Sequence, residues 1–160
     1  MSEIVQTEPI RAGVTVAVAP ERAWEVFTGA IGTWWPVATH SVAAAADEVP
    51  ERLVLEPREG GEIYEIFGGV KRHWARIHTW NPPHTLGYTW RVNPDNPPTD
   101  VTVTFTPAAG GGTRVEVVHS GWEAYGASRE ELHASYGGEG GWALVLEAFA
   151  FAAGAGAGAA

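Results

Sequence analysis

The chain contains no cysteine, which excludes disulfides, thiol catalysis and cysteine-based zinc sites. Basic residues are also scarce: 10 Lys and Arg stand against 19 Asp and Glu, for a formal net charge of −9. A surface of that sign repels phosphate backbones and anionic headgroups, so neither nucleic acid nor a membrane surface is an expected partner. No apolar run approaches the roughly 20 residues that span a bilayer, and Met1 to Pro9 carry two Glu and no apolar core of signal-peptide length. A cytoplasmic location is expected on those grounds. The six histidines are dispersed, and His73, His78 and His84 are not spaced to put three on one strand face, so no metal site and no cofactor is expected. There is no Ser–His–Asp order, no HExxH and no phosphate-cradling loop. The glycines at 110 to 112 lie between two strand-like runs, which excludes a dinucleotide fingerprint.

What is abundant is tryptophan, with 8 in 160 residues beside 4 Tyr and 5 Phe. A chain of this length fits one domain and buries roughly 70% of its unfolded surface. Aromatic side chains fill cores with little loss of rotamer freedom, and they also line ligand pockets. The composition is compatible with either use.

Periodicity organises the chain. Val14, Val16 and Val18 alternate within Ile10–Val18, the pattern of a strand. Pro20 and Glu21 suit a helix start, and Ala23, Val26, Phe27 and Ala30 fall at i, i+3, i+4 and i+7. Gly29 and Gly32 end that helix, and a short second turn carries Trp34 and Trp35 up to Pro36. The period then becomes two. Arg52–Glu56, Glu62–Phe67, His73–Trp80, Thr85–Val92, Asp100–Pro107 and Thr113–Ser120 read as strands, separated by short Gly-, Pro- or Asn-rich connections. Short connections make antiparallel neighbours and argue against βαβ units. Ser128 with Glu130 and Glu131 resembles a capped helix start, interrupted at Gly137–Gly141. From Trp142 a last helix carries Trp142, Val145, Leu146, Phe149 and Ala153 on one face and Leu144 and Phe151 on another, with Glu147 its only charge. The fold class predicted is α+β: a curved six- to seven-stranded antiparallel sheet around a long C-terminal helix, with a short helix pair after the first strand. The domain spans 10–153, and 1–9 and 154–160 are flexible tails.

Five phrases in this order resemble a known family. They are Trp34-Trp35-Pro36 with His40-Ser41, Glu56-Pro57-Arg58 leading to Gly60-Gly61, Trp80-Asn81-Pro82-Pro83 with Leu86, Val101–Pro107 before its Gly-rich turn, and Val115 to Trp122 ending His119-Ser120-Gly121-Trp122. Their order is that of the START-like, or SRPBCC, helix-grip superfamily, and within it the chain is similar to proteins resembling the activator of the ninety-kilodalton heat-shock protein ATPase. The resemblance runs from Ile10 to Ala153. It implies a sheet gripping a helix around a cavity, and it does not fix an activity.

Candidate functional residues follow from parity. His119 shares a face with Val115 and Val117, so if they face the core it does too; it then orients a ligand, acts as a general base, or fixes the turn into Trp122. Glu65 is inside if Ile63 and Phe67 point inward, and solvated if Tyr64 and Ile66 do. Arg76 and His78 are expected to face outward, opposite Ala75 and Ile77. Trp34, Trp35 and His40 precede an Ala-rich, mobile loop, Val42 to Asp47; they rim a cavity entrance or plug the open end of the sheet. Tyr88, Trp90, Phe105, Trp122 and Trp142 are expected on the inner face. Three functions fit these residues. The first is a carrier whose cavity takes a small apolar or aromatic molecule. The second is a polyketide cyclase- or dehydratase-like enzyme using His119, Glu65 or Tyr88 as acid or base. The third is an interaction protein with a chaperone partner, as the family name suggests. The Leu144–Phe151 flank additionally allows a homodimer.

Overall fold

A computed structural model describes residues 9–91, 97–122, 136–138 and 141–158. Seven strands form one sheet in the order β1-β7-β6-β5-β4-β3-β2, every neighbouring pair antiparallel. They are β1 (Ile10–Val16), β2 (Arg52–Leu55), β3 (Glu62–Phe67), β4 (Val70–Asn81), β5 (Thr85–Trp90), β6 (Thr99–Pro107) and β7 (Thr113–Ser120). Strands β2 to β7 follow one another as a meander, consecutive strands pairing antiparallel. Gly68 and Gly69, at φ +61° and +74°, make the tightest of their connections, since a two-residue hairpin turn matched to the sheet twist needs positive φ at both positions. β1 instead pairs with β7, so the chain must cross from one edge of the sheet to the other before β2. Helices α1 (Pro20–Phe27) and α2 (Ile31–Trp34) make that crossing.

The third helix, α3 (Trp142–Gly158), lies in the concave face of the curled sheet. Its inward side is the stripe expected from periodicity: Trp142, Val145, Leu146, Phe149 and Ala153 are all buried. Phe149 is the centre of the grip. Its ring meets Phe27 of α1 at 5.3 Å and Trp34 of α2 at 5.4 Å, and Phe27 in turn meets Phe105 of β6 at 5.7 Å, edge-on. One side chain therefore links α1, α2 and α3 above the sheet.

Several boundaries differ from the sequence reading, each for a local reason. α1 stops at Phe27 rather than Ala30 because Thr28 turns its hydroxyl back onto the Trp24 carbonyl at 2.7 Å. β1 stops at Val16, where Thr113 Oγ1 takes the Val18 carbonyl at 2.7 Å. β4 is longer than His73–Trp80 at both ends: it starts at Val70, directly after the tight Gly68–Gly69 turn, and runs on to Asn81, which pairs with Thr85. α3 runs on to Gly158, through glycines expected to begin a flexible tail at 154. The helix start read at Ser128 and the strand end at Val92 lie outside the described residues. No helix among the described residues is long and apolar enough to cross a membrane.

Phe149→Ala removes a ring with no solvent exposure from the junction of three helices. It is expected to lower stability by about 3–5 kcal/mol, read from the urea midpoint at constant m-value.

Candidate functional site

Two buried polar groups stand inside the aromatic interior, Glu65 and His119, each with no exposure. Their surroundings are built by irregularities in the strands.

The first is a β-bulge. Ile63 pairs with Ala75 but Tyr64 pairs with His73, which leaves Trp74 as an extra residue in β4. Trp74 and Ala75 then both face inward, breaking the period of two that had placed alternate residues of this strand outside. Past the bulge the parity rule resumes: Arg76 and His78 are exposed and Ile77 is buried, as expected. The bulge aims Trp74 Nε1 at Glu65 Oε1, 2.7 Å away. The Glu65 facing that sequence left open is settled inward, with Ile63.

Glu65 also reaches the loop after α2. Its Oε1 accepts the Val42 N–H at 2.7 Å and its Oε2 the Ala43 N–H at 3.0 Å. Ser41 braces the same segment, donating to the Val37 carbonyl at 2.6 Å and accepting from the Ala44 N–H at 3.1 Å. The loop expected to be mobile is thus pinned at its start and forms a 3-10 turn over Ala43–Ala46. His40 lies just before it, its Nδ1 2.6 Å from the Thr39 hydroxyl, and its backbone carbonyl accepts Trp35 Nε1 at 2.8 Å. Both Trp34 and Trp35 are buried, with Trp34 Nε1 donating to the Val26 carbonyl at 2.6 Å.

His119, at the end of β7, is held from both ring nitrogens. Trp142 Nε1 donates to Nδ1 at 2.9 Å, and Nε2 lies 2.7 Å from Thr99 Oγ1. An indole N–H is a donor only, so Nδ1 carries no hydrogen and the neutral ring donates from Nε2 to Thr99. Trp122 packs 4.5 Å from the imidazole and donates its own Nε1 to the His119 carbonyl at 2.8 Å. His119 faces inward with Val115 and Val117, as its parity predicted, and its backbone carbonyl anchors Trp122 at the following turn.

Between these two anchors lies a continuous aromatic wall. Trp35 contacts Trp74 at 5.4 Å, Trp90 at 6.3 Å and Trp142 at 6.1 Å, and Trp90 reaches Tyr88 at 6.1 Å. Trp90 Nε1 donates to the Tyr136 hydroxyl at 3.1 Å. Tyr88 is different. Its residue is 2% exposed, and among the described residues its hydroxyl has no hydrogen-bond partner. Every fully shielded side-chain nitrogen or oxygen among those residues does have a partner, so the Tyr88 oxygen keeps a trace of accessible surface although its ring is buried. Burial, with the charge of Asp100 adding to it, pushes the phenol well above its usual range. At neutral pH it is a proton-bearing donor.

Of the residues selected from sequence, Trp35, Tyr88, Trp90 and Trp142 converge on one wall, with Glu65 and His119 behind its two ends. Trp122 joins through His119. Trp34 and Phe105 belong to the neighbouring cluster under α1, where Phe105 meets Trp24 at 5.2 Å. His40 contributes its backbone carbonyl to that wall. Trp74 and Tyr136 were missed. A bulge leaves no periodic signature, and the only hint at Trp74 was the cost of exposing an indole in an otherwise polar parity class.

A family model for activator of Hsp90 ATPase homolog 1-like protein matches residues 17–153. The chain belongs to this family. No curated protein matches it. Among solved structures it is similar to Txn09, an anthrahydroquino-gamma-pyrone synthase complexed with SUM, at 33% identity over 89% of this chain and 95% of that one, with a TM-score of 0.60. It is also similar to CalC of Micromonospora echinospora, a self-sacrificing resistance protein, at 24% identity, 92% and 95% coverage and a TM-score of 0.66. A Rhodobacter sphaeroides protein matches at 21% identity, 96% and 93% coverage and a TM-score of 0.67. The last two share the fold and carry no further argument.

Glu65→Gln puts an amide N–H₂ where the site offers only donors, so at least one of Val42, Ala43 or Trp74 loses its acceptor. A loss of about 1–3 kcal/mol is expected. Amide hydrogen exchange should also accelerate at Val42 and Ala43 more than in β7; equal protection in the variant would show that Glu65 does not hold the loop.

Proposed function

We propose that this family member binds a planar, mostly apolar molecule against the Trp35–Trp90–Trp142 wall, with the Tyr88 hydroxyl donating to an oxygen of the guest. The observation carrying this reading is the unpartnered phenol. A buried Tyr hydroxyl normally finds a partner within the protein. Here the fold provides acceptors for the indole N–H groups of Trp35, Trp74, Trp90 and Trp142 yet leaves this one hydroxyl to something else. Stacking faces and a single donor suit a fused-ring ketone or quinone.

A second reading is favoured by one comparison. Txn09 is a synthase at 33% identity, which supports an enzyme of the cyclase kind acting on a related molecule in the same interior. Tyr88 would then polarise a carbonyl by donating to it. His119 and Glu65 would serve as positioning groups, because the lone pairs a general base needs are already engaged.

Titration with hydroxyanthraquinones, followed by quenching of tryptophan fluorescence and by calorimetry, tests the binding reading. Saturable quenching is expected, with single-ring phenols far weaker. Tyr88→Phe should weaken binding about three- to tenfold, the worth of one hydrogen bond, and leave stability within about 0.5 kcal/mol of the parent because no protein partner is lost. Absence of binding across fused-ring ketones up to their solubility would overturn the reading. A large loss of stability in Tyr88→Phe would show that the hydroxyl serves the fold instead.

A further inference from the structure

Helix α3 is apolar on more sides than the sheet covers. Its sequence from Trp142 to Gly158 holds one charge, Glu147, and a helix apolar all round belongs in an interior or an interface. Leu144, Ala148 and Phe151 fall at i, i+4 and i+7 on the side away from the core; Leu144 is 36% exposed, Ala148 half-buried and Phe151 79% exposed. Beside this stripe runs a groove of about 470 Å³, with β1 as one bank and α3 as the other. β1 is an edge strand of the sheet, so among the described residues the groove opens along backbone that no strand covers.

The banks carry opposite charges. Arg11 stands on the strand bank and Glu147 on the helix bank, and among the described residues neither is in an ion pair. A net charge of −9 opposes self-association and would favour a basic partner over most of the surface. This patch is locally balanced, and its complement is itself. A two-fold axis along the groove lays the strand bank of one copy on the helix bank of the other. Arg11 then faces Glu147 of the second copy twice, and the Phe151 rings close over the apolar floor formed by Ala12, Val14 and Leu146.

We propose that the β1–α3 groove is an isologous dimer interface between two copies of this chain, closed by Phe151 and registered by Arg11 against Glu147.

Sedimentation equilibrium of the full chain, without added ligand, over a series from micromolar to millimolar reads this directly. A mass twice 17.0 kDa is expected for the parent. Phe151→Glu should yield a monomer; the side chain is exposed, and retention of the near-ultraviolet tryptophan spectrum confirms that the fold survives. Arg11→Glu and Glu147→Arg are each expected to weaken association about tenfold, because a two-fold interface carries each change twice. The double variant should return to within about threefold of the parent, since the pairs re-form with signs exchanged. A parent that stays at 17.0 kDa throughout overturns the proposal. So does a dimer that Phe151→Glu leaves intact, or a double variant no better than the single ones.

Discussion

A carboxylate buried among tryptophans is the constraint on which the rest of the interior depends. Taking an ion of that size out of water costs several kcal/mol even after relaxation, unless the fold returns an equivalent set of donors. Glu65 receives three, and they come from separate parts of the chain: the Trp74 indole on β4 and two consecutive amides after α2. None can be withdrawn without leaving both a donor and part of a carboxylate unsatisfied. The bulge at Trp74 and the 3-10 turn at Ala43–Ala46 are therefore two halves of one solution to a single burial problem. Through the His40 carbonyl the same solution fixes Trp35, the ring from which the aromatic wall extends.

That wall is held by its polar edges as well as by its faces. The indole N–H groups of Trp34, Trp35, Trp74, Trp90, Trp122 and Trp142 each reach a defined acceptor. Edge-to-face and tilted ring pairs add about 0.5–1.5 kcal/mol each beyond the area they bury, but they tolerate sliding. Hydrogen bonds at the ring edges do not, so the six rings are fixed in orientation. An aromatic interior built this way is a shaped surface.

Most of the fold was legible in the sequence because it rests on two periods. The inward stripe of α3, the facing of Val115, Val117 and His119, and the outward facing of Arg76 and His78 all follow from period and parity. The strands β3 and β7 run over the very residues their alternation marks. The site was legible only in part. Glu65 sat in a run whose apolar residues choose no face, and only the donors waiting on other segments decide it. Trp74 is hidden by the bulge, which changes parity in mid-strand. The loop at Val42–Asp47 looks mobile because it is rich in Ala; what pins it is a side chain more than twenty positions later. Local pattern carries the sheet and the helix, while long-range polar satisfaction carries the site.

The division between engaged and open polar groups bears on what chemistry the interior can do. Using His119 as a base at Nδ1 would set the new N–H against the Trp142 N–H, turning a hydrogen bond into an opposed pair of buried donors. A buried donor left unsatisfied costs about 1–3 kcal/mol, a sizeable part of the roughly 3–5 kcal/mol that a well-placed proton transfer supplies. Both of the donors on Glu65 Oε1, from Val42 and Trp74, hold other segments of the chain in place. Tyr88 surrenders nothing by donating, because among the described residues its hydroxyl holds no partner and its buried, Asp100-flanked phenol keeps its proton at neutral pH. Acid–base chemistry at Glu65 or His119 would thus come at the expense of hydrogen bonds that hold the interior, whereas donation by Tyr88 would not. In this chain, use of Glu65 or His119 as a base would require releasing a group that holds the wall in place.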